Sequence, residues 1–353
     1  MRIASVGRAL PPNVHTQAEV LDKLSSFWGD DKRMLERLAL LHANTGVTTR
    51  HFALPLKAYL DLHTFGDSNR AWLTQAMELG EAAVRDALAR ARMVAGDIDA
   101  FFATTITGVT CPSIDARLMN KLPFRTDVKR VPIFGLGCVA GAAGIARAAD
   151  YLRAFPEQAV LLLSVELCSL TFQKNDRSMA HMVATGLFGD GAAAVVMVGD
   201  ARAKKLGLAG PRVEATRSVF YPGTEDIMGW DISEQGFRVL LSPRVPELAR
   251  ERLAVDVRLF LADHGLAPRD VARWVAHPGG PKVLQGIEQA LELEKEALAV
   301  SWKVLAAAGN ISSASVLLIL RETLDAPPPA PGSPGLLFAM GPAFGSEIVL
   351  LRW

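Results

Sequence analysis

Residues 131–152 read VPIFGLGCVAGAAGIARAADYL, and the way residue types change along this stretch decides the fold. Val131 to Phe134 has the apolar, β-branched character of a strand. Gly135-Leu-Gly137-Cys138 is a turn, and the alanine- and glycine-rich run from about 139 to 152 predicts a closely packed helix. A strand that turns at once into a helix is an α/β unit. Working outward, residues 98–105 predict an apolar strand and 113–122 a short helix. Residues 69–92 predict a long helix, with Trp72, Leu73, Ala76, Leu79, Ala83, Val84 and Leu88 near a 3.6-residue period. Residues 159–165 and 191–198 are continuous apolar runs, as expected of strands covered on both faces. The stretch up to Leu54-Pro55 mixes helical and loop signals, and 201–211 predicts a surface connection.

Beyond that connection a similar order recurs. A strand is expected at 274–276, a helix at 281–293, a small-residue-then-apolar helix at 310–324, and strands at 336–340 and 347–351. Strand, helix, buried helix, strand, strand therefore appears twice, dividing the chain into residues 1–208 and 209–353. The segments beginning at Cys138 and Asn310 occupy equivalent places in the two copies. The proline-rich stretch 327–334 is a rigid loop inside the second copy.

Composition narrows the function. Of 353 residues, 50% are hydrophobic and 21% charged, and the net charge is +1. That excludes a disordered chain and gives no reason to expect nucleic acid or an anionic membrane as partner. Met1-Arg2-Ile3-Ala4 runs straight into a strand with no apolar leader, and the uncharged run 131–146 is too short to span a bilayer. The three cysteines, Cys111, Cys138 and Cys168, form neither an even disulfide set nor a zinc spacing. A cytoplasmic protein without a metal is expected.

Two chemistries compete for the central turn. Gly135-x-Gly137-x-x-Ala140 opens a helix and the next strand ends at Glu166, which is nearly the layout of a dinucleotide-binding oxidoreductase. Other α/β elements precede it, however, and this reading leaves later polar clusters unexplained. Alternatively, Cys138 is a nucleophile. A helix N-terminus carries about half a positive charge, which lowers a thiol pKa from ~8.5 into roughly the 3.5–7.5 range. A core cysteine packed among alanines is the plainer alternative. His277 ends a strand and precedes Pro278-Gly279-Gly280-Pro281, which places it at the carboxyl edge of a sheet. Asn310, after Gly309, starts the second buried helix, either as a simple N-cap or as a site residue. If the copies are related by a pseudo-twofold, both helix starts converge. Cys138, His277 and Asn310 then form the set that acyl-thioester chemistry requires: one nucleophile and two oxyanion donors.

Gly137-Cys138-Val-Ala-Gly141, Ala276-His277-Pro-Gly-Gly-Pro281-Lys282 and Gly309-Asn310-Ile-Ser-Ser-Ala314 resemble the three active-site motifs of the type III polyketide synthases, the chalcone-synthase-like branch of the thiolase fold. Gly186-Leu-Phe188-Gly-Asp-Gly-Ala192 resembles that family's gatekeeper segment. Initiation-type ketoacyl synthases share the three residues but differ around the histidine. The resemblance implies an α/β thiolase fold whose duplicated βαβαβαββ halves give five αβαβα layers. It implies that Cys138 is loaded from an acyl-CoA, that His277 keeps the thiolate charged as an ion pair, and that His277 and Asn310 hold the thioester oxygen of malonyl-CoA during decarboxylation. Phe188 would stand where the CoA tunnel meets the cavity. Arg50 would contact CoA phosphates, with Val47 and Leu54 where other basic residues are usual, and Lys282 as a second anchor. Cys111 would reach across a homodimer interface, and Cys168 and Thr171 would line the cavity; all three are otherwise plain packing residues. No cofactor is implied beyond the CoA substrates.

One departure stands out. Ala339-Met340-Gly341-Pro342-Ala343 has alanines where the family's loop carries glycines, which puts the shape of the cyclisation floor in question. Met228-Gly-Trp230-Asp-Ile232, His51-Phe-Ala-Leu-Pro55 and Leu318-Ile-Leu320-Arg321 resemble the bacterial branch that makes alkylpyrones and alkylresorcinols. A fatty acyl starter extended with malonyl-CoA is therefore expected, with a malonyl-only tetrahydroxynaphthalene-type synthase as the competing reading.

Overall fold

The computed structural model describes every residue except 30 and 295. The first half contains strands β1 (Arg2–Ala9) and β2 (Asn13–Thr16), helices α1 (Gln17–Trp28) and α2 (Lys32–Ala43), and strand β3 (Thr49–Phe52). Then come α3 (Phe65–Ala91), β4 (Ala100–Thr104), α4 (Ile114–Met119), β5 (Lys129–Ile133) and α5 (Ala140–Ala154). It closes with β6 (Ala159–Leu167), α6 (Met179–Leu187), β7 (Asp190–Val198) and α7 (Asp200–Leu206). The second half runs β8 (Arg212–Val219), the hairpin β9 (Met228–Ser233) and β10 (Gly236–Leu241), α8 (Val245–Leu248), a π turn, and α9 (Ala254–Ala262). It ends with β11 (Arg273–Ala276), α10 (Pro281–Leu291), α11 (Ala299–Ala308), α12 (Ser312–Asp325), β12 (Pro334–Gly341) and β13 (Gly345–Arg352).

Nine strands form one sheet in the order β11-β12-β13-β8-β1-β7-β6-β4-β5. The halves meet at β1 and β8, which are paired only at Arg2 and Arg212. Alternation along each strand then builds the layers. In β6, Leu161, Leu163 and Val165 face α3, which supplies Trp72, Ala76, Ala83 and Ala87. Val160 and Leu162 face the opposite way, into a central layer with Ala142 and Ile145 of α5 and Val316 and Leu317 of α12. Leu337 and Ala339 of β12 close that central layer from the other side. Leu336, Phe338 and Met340 look outward onto α9 and α10. The result is α3, sheet, α5 with α12, sheet, α9 with α10: five layers.

Local sequence explains the ends of these elements. Thr64 and Asp67 form a reciprocal capping box at the start of α3, as Thr16 and Glu19 do for α1. In the centre, α5 and α12 approach so closely that a Cβ on Gly141 would lie 2.2 Å from the Ser313 carbonyl oxygen. Only glycine fits there. Two expectations need correcting. Residues 201–211 contain most of α7 rather than a plain connection. The second half supplies four strands to the sheet, not five, because the chain before α12 forms only an isolated bridge between Asn310 and Phe188. Helices α8, α9 and α11 carried no prediction; α9 and α11 are apolar on more than one face, which blurs the period. Among the described residues, no helix is long and apolar enough to cross a membrane.

Candidate active site

The turn after β5 positions Cys138. Gly135 and Gly137 both have positive φ (93° and 56°), and a Cβ on Gly137 would sit 2.6 Å from the Pro342 ring. The chain therefore passes tightly under the β12–β13 loop, and the cysteine sits in a 3-10 turn (Gly137–Val139) that leads directly into α5. His277 follows β11 and is held by its N–H to the Phe338 carbonyl, 3.0 Å. Gly280, at φ 139°, lets Pro281 begin α10. Asn310 follows Gly309 (φ 71°) and is fixed through its main chain: its N–H donates to Leu187 O (2.9 Å), and its carbonyl accepts from Gly189 N–H (3.0 Å). These bonds flank Phe188, so the phenylalanine and the asparagine are fixed together.

All three residues line one cavity of about 660 Å³ counted to its mouth, with Phe188, Met228 and Trp230 among its walls. The two helix starts thus meet at one cavity, as expected from the sequence. Asn310 fills both roles considered for it. Its Oδ1 accepts from Ser312 N–H (2.9 Å) and Ser315 Oγ (3.4 Å), which caps α12, while its amide lies close enough to the Cys138 sulfur to favour the thiolate.

The electrostatics depart from expectation. Burial pushes the Cys138 thiol up to about 12, against hydrogen bonds with Ser312 and Asn310 that favour its ionised form. Burial pushes His277 down to about 3. Burial therefore works against a standing thiolate–imidazolium pair in the free enzyme. The thiol instead donates to Ser312 Oγ at 3.6 Å. His277 Nδ1 is buried with no hydrogen-bond partner among the described residues. The positive end of α5 is too weak to offset the desolvation cost.

Sequence reasoning missed two residues beside the sulfur. Ser312 was part of a motif but had no role, and it sits at φ 44°, a strained conformation for a side-chain-bearing residue. Glu166 had been weighed only as a ribose-binding acid. It is fully buried and accepts hydrogen bonds from Ile106 N–H (3.0 Å), Thr107 Oγ (3.0 Å) and Ser313 Oγ. No nucleotide can reach it, which removes the dinucleotide reading. The one sequence signal was an acid near the end of an otherwise apolar, wholly buried strand.

Burial raises Glu166 from 4.5 to about 7, and its negative charge contributes to raising Cys138. The folded state holds this proton more tightly than the unfolded chain. The associated stability is therefore complete below pH 4.5 and is lost as pH rises through about 7. Glu166→Gln removes this component. Relative to wild type, the variant's Tm should rise between about pH 4.5 and 7 and hold a constant offset above that. Alkylation of Cys138 should also shift to lower pH in the variant. Parallel melting curves and an unmoved alkylation profile would contradict the assignment.

A second, mostly apolar cavity of about 760 Å³ adjoins the first, and Cys168, Phe188, Trp230 and Val239 form the wall they share. Cys168 thus lines both, and Thr171 lines the second. Arg50 departs from its expected role. It is 1% exposed and donates to Thr185 O (2.5 Å), Phe188 O (3.1 Å) and Gln17 Oε1 (2.5 Å). A guanidinium spent on three internal acceptors braces the gatekeeper segment and does not meet CoA phosphates. Lys282 is exposed on the first turn of α10, outside both cavities. Cys111 is exposed and lines neither cavity of its own chain. In the loop that departs from the family pattern, Ala343 adopts φ 56° and Phe344 φ 35°. The turn that glycine would make freely is kept here at the cost of backbone strain.

Comparison with known proteins agrees with this geometry. The pattern described as "Chalcone and stilbene synthases, N-terminal domain" matches residues 1–201, and its C-terminal counterpart matches residues 212–353. A 1,3,6,8-tetrahydroxynaphthalene synthase from Streptomyces peucetius is 49% identical over 99% of this chain and 93% of its own. A putative chalcone synthase from Bacillus subtilis is 38% identical over 99% of this chain and 98% of its own. The crystal structure of 1,3,6,8-tetrahydroxynaphthalene synthase from Streptomyces coelicolor, a bacterial type III polyketide synthase, superposes with a TM-score of 0.94 at 34% identity, covering 100% of this chain and 99% of that one. With both halves matched and the thiolase layers in place, the chain belongs to the chalcone and stilbene synthase family and is a type III polyketide synthase.

Proposed function

We propose that the enzyme builds an aromatic polyketide of the tetrahydroxynaphthalene kind, with malonyl-CoA as both starter and extender. The observation that carries the chemistry is the meeting of Cys138, His277 and Asn310 in one cavity. The choice of starter is supported by the 49% identical relative, and it displaces the fatty starter as first choice.

Because burial opposes a standing ion pair, proton transfer accompanies the first attack. As a thioester enters, His277 takes the Cys138 proton while sulfur attacks the carbonyl. The C–S bond to CoA breaks, and the departing thiolate takes its proton from solvent, so His277 keeps the N–H gained from Cys138. His277 and Asn310 then donate to the thioester oxygen of a malonyl-CoA. Carbon dioxide leaves and its bonding electrons form an enolate stabilised by those donors. The enolate carbon attacks the acyl group on Cys138, the acyl–sulfur bond breaks, and the chain leaves on CoA two carbons longer. Transfer back to Cys138 begins the next round.

The second cavity favours one other reading, a fatty acyl starter whose tail crosses the Phe188–Trp230 wall into apolar space. Purified enzyme given malonyl-CoA alone, or with a ladder of acyl-CoAs, separates the two by product mass spectrometry. The proposal expects turnover on malonyl-CoA alone and little gain from acyl-CoAs. A dominant alkylated product would establish the second reading, and no product in any mixture would refute both. Val109, Phe134 and Leu136, exposed on the segments after β4 and β5 with Cys111 close by in sequence, support a homodimer.

A further inference from the structure

We infer that the second cavity holds the oxygenated chain as it grows on Cys138, and that Arg50 and His181 select that chain over an alkyl tail by hydrogen bonding. This rests on the malonyl-only reading and adds to it the residues that determine it. One wall of the cavity is a single face of α6 and its C-cap. His181, Ala184, Thr185 and Phe188, spaced i, i+3, i+4 and i+7, all line it. Phe188 also belongs to the wall shared with the catalytic cavity, so the space runs along α6 from that wall to His181. Seven residues at 1.5 Å each make the run roughly 10 Å, room for several two-carbon units.

Two polar groups of this mostly apolar lining are buried without a partner. His181 is 3% exposed, and its Nε2 makes no hydrogen bond among the described residues. The same holds for Nε of Arg50, whose other two nitrogens are engaged. The hydroxyls that share the lining are satisfied: Tyr59 with Ser169, Ser169 with Asp190, Thr171 with Cys168 O (2.7 Å) and Thr185 with Met182 O (2.8 Å). Arg50 bonds Thr185 O, one helical turn from His181, so the two unpaired groups share one stretch of wall. Buried polar groups without partners are rare and costly, and here they mark a place for a polar occupant. The Nε–H of Arg50 can only donate, which suits a ketone oxygen. Burial lowers the His181 pKa against the charge of Asp176 and the Gln173 carbonyl, which favours the neutral ring. A neutral imidazole nitrogen accepts from an enol hydroxyl or donates to a ketone, according to tautomer. A poly-β-ketone chain offers both partners. A saturated tail offers neither and would seal both groups away from water.

The test uses His181→Phe, because Arg50 also braces Phe188 and its replacement would disturb the wall itself. Phenylalanine preserves the stacking of residue 181 on Phe172, whose ring centroids are 5.3 Å apart with 25° between planes. Thermal melts verify that the fold is kept. Products are sized by mass spectrometry in two mixtures, malonyl-CoA alone and malonyl-CoA with octanoyl-CoA. With malonyl-CoA alone, the ratio of full-length aromatic product to shorter, prematurely released chains should fall roughly tenfold, as expected for loss of one buried hydrogen bond. With octanoyl-CoA present, the share of alkylated product should rise by a similar factor. His181→Gln, which keeps a donor and an acceptor, should restore most of both ratios. A residue that only packs would lower every product in proportion. Unchanged ratios in His181→Phe, or equal shifts in His181→Gln, would therefore overturn this inference and leave the malonyl-only reading standing. Wild-type enzyme that makes only alkylated products would overturn both.

Discussion

Replacing Cys138 with alanine should abolish polyketide formation and acyl-enzyme, while decarboxylation of malonyl-CoA continues. The condensation rate should fall by on the order of 10⁴-fold or more, because no other group in the cavity takes over as nucleophile. Cys168 shares the cavity, but burial and the charges of Glu166 and Asp190 hold its thiol well above the ordinary range. Decarboxylation should persist because the oxyanion donors proposed for it, His277 and Asn310, lie on other segments and do not depend on the sulfur for position. Carbon dioxide release and product mass, measured on one sample, check both halves of the expectation. Product formation by Cys138→Ala, or loss of decarboxylation together with condensation, would show that the roles are wrongly divided.

Asn310→Ala should have the second largest effect, with the opposite signature. Losing one oxyanion donor costs about 10²–10³-fold, so decarboxylation itself should collapse by that factor. The main-chain bonds of residue 310 to Leu187 and Gly189 survive the substitution, and Phe188 stays in place. Stability should fall by about 1–3 kcal/mol because Ser312 N–H and Ser315 Oγ lose their acceptor. Asn310→Asp separates the two effects. It keeps the acceptor for Ser312 but removes the donor, so stability should be regained and decarboxylation should not. A fully active Asp variant would reduce Asn310 to a helix cap.

Much of this was legible before any coordinates. The layered α/β fold followed from period and residue size. A continuous apolar strand, a glycine turn and a small-residue helix admit few alternatives, and α3 is found at Phe65–Ala91 against an expected 69–92. The N-terminal helices α1 and α2 are short and separated by few residues, which mixes their helical signal with that of the loops around them. The three site residues were readable because each sits where an element ends, next to glycine or proline that the turn requires. What composition and motif could not supply was the third dimension of charge. Arg50 looks like a surface cation in sequence, but α1 and α6 supply the acceptors that bury it. Likewise the helix start at Cys138 suggested a standing thiolate. Only the packing reveals that desolvation outweighs it, with Glu166 hidden behind Ser313 adding to the effect.

The claim on which all of this depends is that imidazole and carboxamide grip one oxygen. A double-mutant cycle on malonyl-CoA decarboxylation, using His277→Ala, Asn310→Ala and the pair, measures it directly. Donors converging on a shared atom should be coupled by at least about 1 kcal/mol, so the double variant decarboxylates measurably faster than the product of the single losses allows. Losses that simply multiply would mean that the two side chains act on different groups, and the account would fail.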